Sequence, residues 1–250
     1  MPVRVCDQGR ARSETKLAER RADSIEIEAI LNRCEQALSG AGRVDLRSLG
    51  FWRAVAAVKR RPEWVEHYAD RIGAIDRAAF ERAVQPTFPL GFGTAMLSLG
   101  ALIGLVLVGS ARRAVPRGSR GMLVLAGCGL LLGTTHDLAH LLVGRLLGIR
   151  FTYWFLDGPT RLQPGLKVDY ASYLRTPAAA RALMHAAGAL VTKIVPLGVL
   201  WLTARARLPA WTTTALLGIA AVQLTMDLLF SVRQSDWKRF RREWRVASHA

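Results

Sequence analysis

MLVLAGCGLLLGTTHDLAHLLVG, residues 122–144, is apolar enough to read as a membrane span, yet it carries three ligand-forming side chains: His136, Asp137 and His140. Histidines at i and i+4 lie about 40° apart around an α-helix and so share a face, as a tetrahedral ion requires of two ligands from one helix. Imidazole and carboxylate groups are costly to hold away from water. Inside a membrane they turn toward a bundle interior, paired or bound to something.

The flanking sequence supports a membrane setting. Residues 83–111 contain no ionisable side chain, and 88–109 alone reach across a hydrocarbon core of about 30 Å at about 1.5 Å per residue. Residues 121–147, 182–204 and 211–232 form three further candidate spans, each flanked by arginine or lysine. The fold expected is an all-α membrane protein of about four transmembrane helices. The segment 151–173, with its aromatics, Gly158, Pro159, Pro164 and the alternating Leu166-Lys167-Val168-Asp169-Tyr170, is expected to form a re-entrant or hairpin loop at the membrane surface. The first seven residues lack a basic stretch leading into an apolar one, so a cleaved secretory signal is not expected.

Charge divides the chain near residue 85. Up to there 16 Lys+Arg face 13 Asp+Glu; beyond it the counts are 19 and 6, so +13 of the formal +16 belongs to the hydrophobic part. That basicity reads as membrane topology, and nucleic acid is not expected as a partner. Cys6, Cys34 and Cys128 form no CxxC, and Cys128 in the second span reads as packing.

Residues 1–85 read as a small soluble helical domain and 86–250 as the transmembrane domain. Asp23 with Glu26 resembles a capping box opening a helix, and Ile27, Ile30, Leu31, Cys34 and Leu38 repeat at helical spacing until Gly40 and Gly42. Leu46, Leu49, Trp52, Val55 and Val58 continue the pattern to Pro62, which opens a third helix carrying Trp64, Val65, Tyr68 and Ile72. His67 has no second ligand type beside it at ligand spacing and reads as a partly solvated helix residue.

The basic tail after Val232 is the densest cationic cluster beside a span, which places it, and with four spans both termini, on the cytoplasmic side of a cell membrane. His140 then lies about 12 Å and Asp227 about 9 Å along their helices from the same face. The two can meet. A histidine pair with one distant carboxylate is a three-ligand set for catalytic zinc, with water in the fourth position. His136, His140 and Asp227 are the expected ligands.

The sequence here resembles the site-2 protease family of intramembrane zinc metalloproteases. His136-Asp137-Leu138-Ala139-His140 matches the family's HExxH, and Phe155-Leu156-Asp157-Gly158-Pro159 is similar to the Gly-Pro loop that follows it. Thr176-Pro177, Arg181 and Ala186-Ala187-Gly188-Ala189 resemble the approach to its Ala-Gly-Pro helix, and Met226-Asp227-Leu228 occupies its third-ligand position. The resemblance covers residues 121–232. It implies a zinc-dependent endopeptidase acting on a transmembrane or juxtamembrane substrate, with Asp137 as the catalytic base and the 151–173 loop offering an edge to extended substrate. Three positions depart from the pattern: Asp137 stands for Glu, shorter by about 1.5 Å, Ala189 for Pro, and Leu228 for Gly.

Other roles stay open. Asp137 is a base or an acid orienting a ligand histidine; Asp227 is a ligand or the counter-ion of Lys193; His185 is an interfacial histidine or a substitute third ligand. Two rival functions follow. One is a metal-binding membrane protein of the same fold without proteolysis, and the other a metal-free bundle carrying a proton or ion path. Gly100-xxx-Gly104 and Gly129-xxx-Gly133 read as helix-packing faces.

Overall fold

A computed structural model describes residues 4–113, 116–156, 164–229 and 235–248, with backbone alone for 4–19, 117 and 226–229. The chain divides into two compact units, Met1–Ala83 and Val84–Ala250.

The first unit is helical: α1 (Arg4–Ser39), α2 (Phe51–Val58) and α3 (Pro62–Ala83). Ile27, Ile30, Leu31, Cys34 and Leu38 form the buried stripe of α1 and meet Phe51, Val55 and Val58 of α2 and Tyr68, Ile72 and Ile75 of α3. Two expectations are corrected. Asp23 lies inside α1 and caps nothing; its carboxylate accepts from Arg61 at 2.8 Å. Phe51 is fully buried while Trp52 is 43% exposed, because the left-handed Gly50 (φ 82°) starts α2 with the neighbouring ring turned inward. His67 is exposed, with Nε2 3.9 Å from a Glu28 oxygen.

In the second unit α4 (Leu90–Ser110), α5 (Arg117–Leu146) and α7 (Ala178–Thr203) are long and apolar enough to cross a membrane. In α8 (Ala210–Leu229) the apolar part among described residues, Ala210–Thr225, is shorter than a full crossing. Phe92, Met96, Leu102, Leu105 and Val106 point outward from α4, as a lipid-facing helix requires. Val108, Val124, Cys128, Leu131, Val199 and Leu216 bury against one another and join α4, α5, α7 and α8. Small residues bring α4 and α5 together: a Cβ on Gly104 would lie 3.0 Å from the Gly127 carbonyl, and one on Gly127 2.7 Å from that of Gly104. Gly100 packs against Thr134, but Gly129 and Gly133 face open space. The α5 packing face is therefore set by Gly127, about 160° around the helix from Gly129.

A three-stranded antiparallel sheet, in the order β1 (Thr87–Pro89), β2 (Phe151–Leu156), β3 (Pro164–Val168), adds to the helices. The hairpin is β2–β3, with Trp154 opposite Leu166 and a bulge at Phe151/Tyr153. Its third strand precedes α4 and pairs Phe88 with Trp154. Trp154 is 1% exposed and donates to the Leu90 carbonyl at 3.1 Å, lying where a Cβ on Gly93 would be only 2.3 Å from its ring. Gly93 thus lets the sheet close on the start of α4. Two further helices complete the unit, α6 (Tyr170–Arg175) and α9 (Asp236–Ala247). Residues Asp236–Ala247 of the basic tail accordingly form a helix packed on α7.

Candidate metal centre

The site is built on the last third of α5. One helical turn separates His136 from His140, and their rings meet edge to face with centroids 4.8 Å apart. α5 ends beyond them at Gly148 (φ 88°), where Ile149 N–H donates back to the Gly144 carbonyl at 2.8 Å and the chain turns into β2. His140 Nδ1 lies 2.7 Å from the Met184 carbonyl of α7. A carbonyl only accepts, so Nδ1 carries the proton, and Nε2 of a neutral His140, beside Gly188 of α7, offers its lone pair.

That lone pair faces Asp236. A single carboxylate oxygen of Asp236 lies 3.3 Å from His140 Nε2 and 3.3 Å from His136 Nε2. Two acceptors so placed repel unless a cation, a proton or a metal ion, lies between them. Charge-assisted N–H···O contacts fall at about 2.7–2.9 Å, whereas two ligands about 2.0–2.1 Å from a tetrahedral ion stand about 3.3 Å apart. The donor atoms of all three residues lie within 4.8 Å of one another. Histidine nitrogen and carboxylate oxygen suit zinc and other borderline divalent ions.

Asp236 opens α9, where Ser235 Oγ accepts from the Lys238 amide at 3.4 Å and caps the helix. Burial pushes its carboxyl up, but the two facing imidazoles outweigh this and hold it well below the usual carboxylate range. α9 is fixed by a second contact: Arg181 Nε donates to Glu243 Oε2 at 2.7 Å, and NH1 donates to the carbonyls of Leu174 (3.1 Å) and Thr176 (2.8 Å). Gly188 lies against the His140 ring and Arg181 against Glu243. Gly188 and Arg181 are seven residues apart on α7, as are Asp236 and Glu243 on α9. The two helices therefore run antiparallel, with Asp236 at the inner end.

The remaining candidates fall as follows. Asp137 is 7% exposed, and one carboxylate oxygen lies 4.0 Å from His136 Nε2, beside the ligand cluster but outside it. Asp227 belongs to α8, and its side chain lies outside the described residues, as does the Asp157-Gly158-Pro159 stretch. His185 is buried within the protein. The Tyr173 hydroxyl is 3.0 Å from its Nε2, and its ring centroid is 6.3 Å from that of His140, so the site and His185 are neighbours without sharing a ligand position. Burial, with the Glu243 charge nearby, holds the Tyr173 hydroxyl well above its ordinary pKa, so it stays protonated. Lys193 Nζ donates to Thr192 Oγ1 at 3.0 Å.

Sequence reasoning missed Asp236. The signal present was Ser235-Asp236 ahead of an amphipathic run, an N-cap and first-turn acid. Gly188 reads in the sequence as part of Ala-Gly, but its role is spatial: a Cβ there would lie 2.2 Å from His140 Nε2. Gly188→Ala is therefore expected to displace the imidazole and weaken metal binding by about tenfold or more, within the range seen when the support of a ligand is disturbed. Metal content after dialysis against a weak chelator measures this. Unchanged retention would mean that the ring steps aside without loss.

Comparison of the chain with protein-family models, with curated proteins and with solved structures finds no match.

Proposed function

We propose that His136, His140 and Asp236 hold a zinc ion and that the chain is an intramembrane zinc metalloendopeptidase of the site-2 protease type. The observation that carries the reading is the single Asp236 oxygen 3.3 Å from both Nε2 atoms, which matches two edges of a tetrahedral zinc site, with all three ligand atoms within 4.8 Å of one another. The resemblance of residues 136–140 to HExxH, with Asp137 in place of Glu, within an apolar helix supports the reaction class. In this reading α8 is the fourth span, both termini face the cytoplasm of a cell membrane, and the substrate is a transmembrane or juxtamembrane protein segment.

Zinc, when bound, supplies a Lewis acid that polarises the scissile carbonyl and acidifies water. The chain's own part is positional and protic. Met184 fixes the His140 tautomer, Gly188 leaves room for its ring, and α9 brings in the third ligand. Asp137 takes the proton of the attacking water and returns it to the leaving amine. One methylene less than glutamate shortens its reach by about 1.5 Å, which favours as second reading a metal-binding relative that retains a membrane partner without cutting it.

Two measurements test this. Purified full-length protein should contain about one zinc per chain, lost in His136→Ala; metal-free wild type sinks the site and leaves the proton-path reading. On a transmembrane substrate, Asp137→Asn should keep zinc and lose about 100-fold or more in rate, as removal of a general base does, while Asp137→Glu keeps or raises the rate. Cleavage by the Asn variant at the wild-type rate removes Asp137 as base, and zinc without cleavage by wild type or the Glu variant selects the second reading.

A further inference from the structure

α9 presents three sectors. Taking Asp236 as the origin and about 100° per residue, Asp236 and Glu243 point into the protein. Phe240, Trp244 and Trp237 follow at about 40–100°, and Arg241, Arg245, Lys238 and Arg242 at about 140–240°. The aromatic side chains form a continuous ridge, with Trp237–Phe240 centroids 5.7 Å apart and Phe240–Trp244 5.6 Å apart. Trp244 is 49% exposed, and Lys238, Arg241, Arg242 and Arg245 are all exposed among the described residues. A ridge of tryptophan and phenylalanine beside a cationic sector is the pattern of a helix at a membrane interface, with rings at the acyl–headgroup boundary and cations on phosphates.

The position of α9 agrees with its composition. It lies antiparallel to the start of α7, and Glu243 meets Arg181, three residues from the Ala178 that opens that apolar helix. Its outer half is therefore level with the end of a candidate span, where headgroups lie. The exposed sector carries four cations and no carboxylate, since both acids of α9 are turned inward to the histidines and Arg181. Charge complementarity thus selects an anionic leaflet over a neutral one. We propose that the outer half of α9 is a binding surface for anionic phospholipid, with Phe240 and Trp244 inserted at the boundary and Arg241, Arg242 and Arg245 on the headgroup phosphates. The inference stands on unit Val84–Ala250 being in a membrane and is independent of what the three ligands hold.

The full-length protein, placed in nanodiscs of phosphatidylcholine or of a mixture about one third phosphatidylglycerol, with and without brominated acyl chains, supplies the test. The difference in tryptophan emission between wild type and Trp237→Phe/Trp244→Phe isolates the two α9 rings from the other five tryptophans. That difference should be quenched by bromine, about twofold more strongly in the anionic discs. Lys238→Gln/Arg241→Gln/Arg242→Gln/Arg245→Gln should erase the gain from phosphatidylglycerol. An α9 signal that bromine leaves unchanged, or that is quenched equally in both compositions, overturns the proposal, and the wild-type arms decide this even if the glutamine variant fails to fold. Nucleic acid bound by wild type, lost in the glutamine variant and unaccompanied by lipid-dependent quenching also overturns it.

Discussion

Asp236→Ala is expected to weaken metal binding by at least about 100-fold, because the proposed site loses one of its three ligands and no other group of three ligand-forming residues is found among the described residues. At about 1.4 kcal/mol per tenfold, the loss exceeds about 2.8 kcal/mol of binding free energy. Asp227→Ala, in contrast, should retain the metal if Asp236 is the ligand. Chelator competition on the full-length protein in detergent reads both. Asn at position 236 makes a sharper probe, because it keeps one oxygen and the helix-opening shape but removes the charge. It should lose less affinity than Ala and more than Asp227→Ala. Stoichiometric metal in Asp236→Ala together with its loss in Asp227→Ala would give the third-ligand role back to Asp227.

The contrast between these two acids shows what a sequence reading can reach. His136 and His140 were legible because their relation is local: one turn of one helix puts them side by side whatever the rest of the chain does. Asp236 was not legible, since its arrival depends on α9 folding back along α7, and the lock for that is an ion pair between residues 62 apart. The five cations of α9 also read as a topology signal and masked its helical pattern, in which two inward acids are separated by two turns. The apolar helices followed from length and composition. The sheet did so only in part: the β3 alternation was visible, but Tyr170 opens α6 instead of continuing the strand, and β1 is three residues whose pairing with β2 is entirely tertiary. The choice of Gly127 over Gly129 and Gly133 was beyond a small-xxx-small pattern, which does not say which face meets a neighbour.

Glu243→Ala should be the most destabilising single change outside the ligands. Arg181 and Glu243 are 3% and 2% exposed, and the guanidinium also holds the carbonyls of Leu174 and Thr176 at the turn into α7. Removing the carboxylate leaves a buried cation without its counter-charge, which costs about 3–5 kcal/mol, although the intact pair itself adds little over a well-packed apolar pair. The double variant Arg181→Met/Glu243→Leu should therefore recover most of the loss. Metal affinity separates two consequences of the pair. If its role is to clamp α9, Glu243→Ala should also release Asp236 and lower metal retention, and the apolar double variant should restore both properties together. Denaturant unfolding in detergent gives the first quantity and chelator competition the second. A Glu243→Ala protein with wild-type stability would mean that water reaches Arg181, and the lock on α9 would then have to lie elsewhere on the α7 contact.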